Sequence, residues 1–576
     1  MRYKQAMKIA IAQINPVVGD FGHNAGRMRF WIDAARRQGC DLVVLPELAL
    51  AGYPPQDLLE RPAFLESHDA ALRQLITQEH GIGVLCGVIE RSRRPQGKPL
   101  HNSALLFEDG RILFSAAKRL LPVYDVFDES RYFEPGAGSP PCLYKGLRLG
   151  ITICEDIWND PTFFRHQLYL ADPVAELAAA PGGLDLLVNI AASPFHRGKY
   201  RSRQEMLANA CRSHRLPLIY CNQVGGQDSL LFDGRSLALD ATGAVQARAT
   251  DFAEDMVVWD STTGKGDLHP VLQNGGEDEA AAVLAALVMG TRDYAHKCGF
   301  RQGVLGLSGG VDSAVTAAVA ARALGPENVL GVALPSPYTS AASLEDAAAV
   351  AANLGLSFEV IPISGVLASY LETLPPRFAG PAHDVAEQNI QARIRGNLLM
   401  AIANRFGHLL LSTGNKSEMA VGYCTLYGDM SGGLAVISDV PKMLVYRLAR
   451  LLNREGPLIP ERVLSRAPSA ELKPSQTDQD DLPPYEILDP ICAAYLEENR
   501  SRAEIAAMGF PAAVVADVIN RINRNEYKRK QAPIGLKVTS KAFGSGRRYP
   551  NACRCQENEA GQDGRTAECP TRNFKG

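Results

Sequence analysis

Two hydrophobic periods alternate along the first half of the chain. Residues 7–15 (MKIAIAQIN) form a short, nearly continuous apolar run of strand length. Residues 24–39 repeat apolar positions every three to four residues and stop at Gly39, as an amphipathic helix does. The same reading gives a buried strand at 41–48, a helix at 64–78 and a strand at 82–91. Two alternating runs then flank Asp109-Gly110 and predict a hairpin within 101–118. Strands are expected within 147–158, 184–195 and 216–226, a helix through 203–215, and a second hairpin turning near Thr242-Gly243. Strands alternating with helices and broken by hairpins predict a layered α/β domain with a mixed sheet.

The periodicity fades over 261–279 (STTGKGDLHPVLQNGGEDE), where Gly, Pro and acidic residues cluster. The domain linker is placed at 266–279, between a first domain at 1–265 and a second at 280–549. The second opens with a helix at 280–297. Strand-like runs at 302–307, 327–335, 357–363 and 407–413 then alternate with helices, two of them at 341–354 and 385–406. Such repeated units predict a doubly wound parallel sheet with helices on both faces. Residues 550–576 are polar and aperiodic and are expected to be a disordered tail. Their Cys553, Cys555 and Cys569 have an unusual C-x-C spacing and no histidine nearby, which argues against a metal site.

Composition narrows the class. A length of 576 residues exceeds what one core serves, and 46% hydrophobic with 21% charged residues is the balance of a globular protein. A net charge of −3 without a long basic run argues against bulk attraction to nucleic acid or anionic membrane. With no signal-peptide pattern and no apolar stretch of about 20 residues, a cytoplasmic chain is expected. Most of the 12 cysteines sit singly in apolar segments and read as reduced, buried thiols.

One glycine-rich loop changes the picture. Ser308-Gly309-Gly310-Val311-Asp312-Ser313 joins a predicted strand to a predicted helix. Glycines let backbone N–H groups close around an anion, the helix N-terminus adds positive potential, and two hydroxyls can donate to phosphate oxygens. Asp312 beside phosphate would be repelled unless a divalent cation bridged them. A tight turn packing strand on helix is the alternative reading. The loop lacks the lysine of G-x-x-x-x-G-K-[ST]. It resembles the S-G-G-x-D-S loop of pyrophosphatase-type ATP enzymes, which have an adenine nucleotide α-hydrolase-like fold. That likeness implies an acyl-adenylate with pyrophosphate leaving, not transfer of the γ-phosphate.

Residues 409–442 follow a strand and gather Thr413, Glu418, Asp429 and Lys442 in a glycine-dense stretch. Thr413 stands where it can reach a nucleotide, and Glu418 where it can share a metal with Asp312. Any one of these residues alone reads as part of a solvated loop. The stretch resembles the substrate-binding segment of NAD synthetases, as do 386–399 and the NEYKRKQAP segment. The likeness implies that Asn389, Arg393, Glu418, Asp429, Lys442 and Lys528 bind deamido-NAD, that Ser308 to Ser313 and Thr413 bind ATP, and that Asp312 and Glu418 hold magnesium.

In the first domain, Cys154 ends the strand-like run GITIC, Glu47 follows Val-Val-Leu-Pro, and Lys118 precedes Leu-Leu-Pro. Singly they read as a core thiol, a solvated acid and a solvated lysine. Together they can perform covalent catalysis on an amide: a base for the thiol, a cation for the developing oxyanion, and sulfur as nucleophile. The three segments resemble the nitrilase superfamily over about 7–260, which implies an αββα sandwich with Glu47 as general base, Lys118 as oxyanion stabiliser and Cys154 as nucleophile. CEDIW and LPVYDVFDE resemble its glutaminase branch, which implies Tyr124, Ser193 and Lys199 as glutamine ligands and Glu129 as a further orienting carboxylate.

The domain order resembles glutamine-dependent NAD synthetases as a family. The likeness implies ATP-driven amidation of deamido-NAD with ammonia released from glutamine and passed between domains, and homo-oligomers with dimeric synthetase cores. An amide ligase for another acid, and an amidase whose second half only senses nucleotide, are the rival readings.

Overall fold

The computed structural model describes residues 7–272, 276–378, 380–381 and 383–552. Cys553, Cys555 and Cys569 lie outside the described residues. The chain divides into two compact units between Asp293 and Tyr294. This division falls inside the helix Gly276–Lys297, downstream of the 266–279 linker read from composition. Lys265–Gly266, where the first domain as read meets that stretch, is a short edge strand paired with Trp259–Asp260.

In the first unit a seven-stranded sheet runs in the order 265–266, 255–260, 8–13, 42–44, 83–91, 100–108, 111–117. A six-stranded sheet runs in the order 245–248, 237–239, 218–222, 186–191, 147–153, 142–144. Each is parallel at its centre and antiparallel at its margins. The strand Lys8–Gln13 shows why its sequence is apolar throughout. Ile9 and Ile11 enter the core shared by both sheets, with Ile151, Val188 and Ile219. Ala10 and Ala12 face the other way, against Met28 and Ile32 of the helix Phe21–Arg37 and Leu75 of the helix Pro62–Thr77. The helices Pro173–Ala178 and Lys199–His214 pack on the six-stranded sheet, which completes the αββα layering. The Asp109-Gly110 turn has positive φ at both residues (+42° and +82°), the geometry that matches strand twist in a two-residue hairpin.

The second unit holds a five-stranded, all-parallel sheet in the order 357–360, 329–333, 303–306, 409–412, 434–435. The chain starts at the central strand, builds outward on one side, and returns to build on the other. The carboxyl ends of Gly303–Gly306 and Leu409–Ser412 therefore flank the point where the order reverses, the place where open α/β sheets bind ligands. Among the described residues no helix is long and apolar enough to cross a membrane.

Candidate active sites

In the first unit each of the three predicted groups sits just beyond a strand. Glu47 follows Leu42–Val44, Lys118 follows Arg111–Ala117, and Cys154 follows Leu147–Ile153. Pro46 and the left-handed Leu48 (φ +45°) turn the chain at Glu47. The neighbouring strand passes so close that a Cβ at Gly87 would lie 2.1 Å from the Leu48 nitrogen. Cys154 is itself left-handed (φ +44°) and opens a single 3₁₀ turn, a strained geometry of the kind that collects at functional sites.

The structure brings these groups into one buried cluster. Lys118 Nζ donates to Glu47 Oε1 at 2.8 Å and to Glu129 Oε1 at 2.7 Å. Asn102 Nδ2 also donates to Glu47 Oε1 (2.7 Å), and the Ala192 N–H donates to Glu47 Oε2 (2.8 Å). The Tyr53 hydroxyl donates to Glu129 Oε1 at 2.8 Å. Glu47 is fully buried, with Lys118, Glu129 and Cys154 at most 5% exposed. Burial opposes the charge on Lys118, but Glu129 and Glu47 outweigh it and hold the ammonium well above its ordinary range. Burial lifts Glu129 to about 7 against the pull of Lys118. Burial, reinforced by Glu47, pushes the Cys154 thiol well up, with Lys118 pulling the other way. The resting sulfur is thus a neutral thiol beside a carboxylate and an ammonium. Such a group can pass its proton to Glu47 as it attacks carbon.

The predicted glutamine ligands fall on the surrounding loops. The Tyr124 hydroxyl donates to the Glu155 carboxylate at 3.0 and 3.1 Å, and the Tyr169 hydroxyl does so at 3.0 Å. Ser193 is buried and its N–H donates to Asn222 Oδ1 (2.9 Å). Lys199 Nζ donates to the Pro194 carbonyl (2.9 Å) and lies 5.6 Å from the Trp158 ring centre. Tyr53, Asn102, Glu155, Asp156 and Tyr169 were missed in the sequence. Glu155 and Asp156 directly follow the predicted nucleophile, a placement that could have marked them. Tyr53 lies in the Glu47 segment and Asn102 in the predicted hairpin, but neither position was assigned a role.

In the second unit a cavity of about 540 Å³ opens at the reversal point of the sheet. Ser308, Gly310, Val311, Asp312, Ser313 and Thr413 line it, with Asn389, Glu418, Asp429, Lys442 and Lys528. The loop is pre-shaped by its own hydroxyls: the two serine Oγ atoms are 3.1 Å apart and the Gly310 N–H donates to Ser308 Oγ at 3.2 Å. Gly309 (φ +81°) is left-handed and packs where a Cβ would come within 2.1 Å of the Ser343 carbonyl oxygen. Asp312 accepts from Lys442 Nζ and, at 2.9 Å, from Asn415 Nδ2. Lys442 Nζ also lies 3.9 Å from Glu418 Oε1. Burial and then the Asp312 charge lift Glu418 to about 8, with Lys442 opposing. Two carboxylates sharing one cation beside a phosphate-type loop form a donor set that suits a hard divalent ion.

The remaining predicted residues are placed differently from one another. Asn389 Oδ1 accepts from the Thr425 hydroxyl (2.7 Å), Asp429 accepts from the Thr425 N–H (2.6 Å), and Lys528 Nζ donates to the Gly422 and Cys424 carbonyls (3.0 and 2.9 Å). Arg393 does not line the cavity; its Nε donates to the Leu426 carbonyl at 3.1 Å. Arg395 lines it instead, with burial lowering its guanidinium to about 10. On the helix Val385–Phe406 the lining positions 388, 389, 392, 395, 396 and 399 form one stripe. Arg393 stands about a quarter turn off it.

A nitrilase-like unit followed by a parallel-sheet unit with this cavity defines a two-part carbon–nitrogen ligase. The comparisons with known proteins match that class unit by unit. The carbon–nitrogen hydrolase family matches residues 8–263 and the NAD synthase family residues 283–532. A glutamine-dependent NAD(+) synthetase of Synechocystis sp. is 48% identical, covering 94% of this chain and 98% of its own. The Thermotoga maritima protein of the same description is 42% identical, covering 96% and 99%. The solved Acinetobacter baumannii glutamine-dependent NAD+ synthetase, in complex with adenosine diphosphate, is 40% identical with a TM-score of 0.74, covering 95% of this chain and 98% of its own. The chain belongs to the glutamine-dependent NAD(+) synthetase family.

Proposed function

We propose that the chain amidates deamido-NAD to NAD, with ATP as the activating substrate and glutamine as the nitrogen source. The observation that carries this reading is the buried Glu47–Lys118–Glu129 cluster beside Cys154, on the same chain as a serine- and glycine-lined cavity of dinucleotide scale. Cys154 sulfur attacks the glutamine γ-carbonyl carbon while its proton passes to Glu47. Lys118 faces the oxyanion that forms. Glu47 returns the proton to the departing nitrogen, ammonia leaves, and a γ-glutamyl thioester remains on Cys154. Glu47 then takes a proton from water, the hydroxyl adds to the thioester, glutamate leaves, and the proton passes from Glu47 back to the Cys154 sulfur. Tyr124, Ser193 and Lys199 hold the substrate.

The nicotinate carboxylate of deamido-NAD attacks the α-phosphorus of ATP and expels pyrophosphate. Ammonia from the first unit adds to the resulting acyl-adenylate carbon, and AMP leaves. The loop from Ser308 to Ser313, with Thr413, grips the nucleotide. Asn389, Arg393, Glu418, Asp429, Lys442 and Lys528 bind deamido-NAD; all but Arg393 line the cavity, as does Arg395. Asp312 and Glu418 would hold magnesium, which offsets the crowded phosphate charge. The reading sets the chain in the cytoplasm as a homo-oligomer. With ATP, deamido-NAD, magnesium and amide-¹⁵N glutamine, the label enters the carboxamide of NAD with one AMP formed per NAD. An unlabelled dinucleotide, or amide hydrolysis without AMP, refutes the reading.

A further inference from the structure

Lys118 and Cys154 reach the site from different sheets. Lys118 extends the edge strand of the seven-stranded sheet, and Cys154 extends a strand of the six-stranded sheet. Between the sheets lies an apolar core, whose packing is non-directional and does not set the relative position of two sheet ends to the fraction of an ångström that catalysis requires. Glu47 reaches across to the Ala192 N–H, and Asp156 joins the Lys118 and Cys154 segments themselves by directional bonds. Asp156 Oδ1 accepts from the Arg119 N–H at 2.9 Å and from the Leu120 N–H at 2.8 Å, the two residues after Lys118. Its other oxygen accepts from the Ile153 N–H at 3.0 Å, the residue before Cys154.

Asp156 is 4% exposed. Each of these peptide donors is matched to carboxylate oxygen, which is how a buried acid is satisfied without an ion pair. A carboxylate suits this position because both of its oxygens accept. An amide presents a donor on one side and would face one of the two segments N–H to N–H. The neighbours that charge the Cys154 environment are Glu47, Lys118, Glu155 and Glu129. Asp156 bonds to the peptide N–H groups beside Lys118 and Cys154.

We infer that Asp156 is a positioning residue for amide cleavage, a clamp that fixes the Lys118 loop of one sheet against the Cys154 turn of the other. The inference rests on the proposed roles of Lys118 and Cys154. Loosening the clamp misplaces the oxyanion donor relative to sulfur without removing a substrate contact, so the loss falls on kcat.

The test compares Asp156→Asn and Asp156→Ala in the full-length enzyme, with Cys154→Ala alongside. Glutamine-driven kcat falls about a hundredfold in Asp156→Asn, the scale of a 1 Å misplacement, and further in Asp156→Ala. KM for glutamine stays within about threefold and ammonia-driven synthesis within about twofold of the parent. The thiol limb of the pH profile of kcat/KM for glutamine moves upward, because Lys118 no longer holds its distance to sulfur. General loosening lowers that profile without moving the limb. Wild-type kcat with an unmoved limb in Asp156→Asn overturns the inference. Equal loss of both nitrogen routes overturns it too, by making Asp156 a support of the whole fold. If Asp156→Ala does not fold, Asp156→Asn decides alone. Glutamine-driven synthesis that survives Cys154→Ala sinks the underlying reading instead.

Discussion

The two sites solve opposite problems. Around Cys154 the chain supplies every charge itself: one ammonium bonded to two carboxylates, closed off from water, with peptide and amide donors completing the bonds. Around Asp312 the chain supplies room. That cavity is large and lined by hydroxyls, backbone and ionic groups, among them the linked Asp312–Lys442–Glu418 set. The reacting amide of glutamine carries no charge of its own, so the groups that cleave it must be assembled beforehand. ATP and a dinucleotide bring many charges, and their site is completed by what enters it. Preorganisation is a property of the protein alone in the first case and of protein plus ligands in the second.

The largest expected effect separates the two sites by chemistry. Cys154→Ala lowers glutamine-driven synthesis by about 10⁴-fold or more and leaves ammonia-driven synthesis within about twofold. Parallel loss of both routes in a folded variant breaks the comparison. Asp312→Asn lowers both routes by about 10² to 10³, while glutamine hydrolysis measured alone persists. Unchanged ammonia-driven turnover there removes Asp312 from the nucleotide site.

Stability sharpens the contrast. Lys118→Met leaves Glu47 and Glu129 buried without their cation and costs about 3–5 kcal/mol. All three tryptophans (Trp31, Trp158, Trp259) belong to the first unit, so urea unfolding followed by tryptophan fluorescence reads this loss directly. Lys442→Met costs less, about 1.5–3 kcal/mol by calorimetry, because the Asp312 side chain is 18% exposed and keeps its bond to Asn415. Equal costs for the two lysines mean that the sites do not differ in preassembly. The smallest effect concerns binding. Lys199→Ala raises KM for glutamine about tenfold with kcat little changed, and an unchanged KM removes Lys199 from the substrate pocket.

Much of this was legible before any coordinates. The helix Val385–Phe406 and the Asp109-Gly110 hairpin follow from periodicity and turn chemistry, and the two domain types from short motifs at strand ends. Three features escaped for physical reasons. The ribbon Val224–Gln227 with Leu230–Asp233 has two glycines in one strand and only four residues in each, too few to show a period. The strand read over 41–48 ends at Val44, since Pro46 and the left-handed Leu48 divert it so that Glu47 can point inward. Arg393 and Arg395 are both plausible ligands by residue type. Only the phase of the helix, set by packing, chooses Arg395 for the cavity. The groups that complete the cluster were harder still, because Tyr53, which bonds Glu129, and Asn102, which bonds Glu47, reach it from separate segments of the chain.

The place of Gly303–Gly306 in its sheet has a consequence for how the enzyme matures. This strand carries the serine–glycine loop at its tip, yet one of its two flanking strands, Leu409–Ser412, is made more than a hundred residues later. At about 5–20 residues per second of synthesis, roughly 5–20 s separate the emergence of the two on the ribosome. During that interval every residue of the loop exists and half of its seat does not. A nascent chain halted at residue 406 would carry the complete SGGVDS sequence with one side of its strand still unzipped, so nucleotide capture is among the last competences the growing polypeptide acquires.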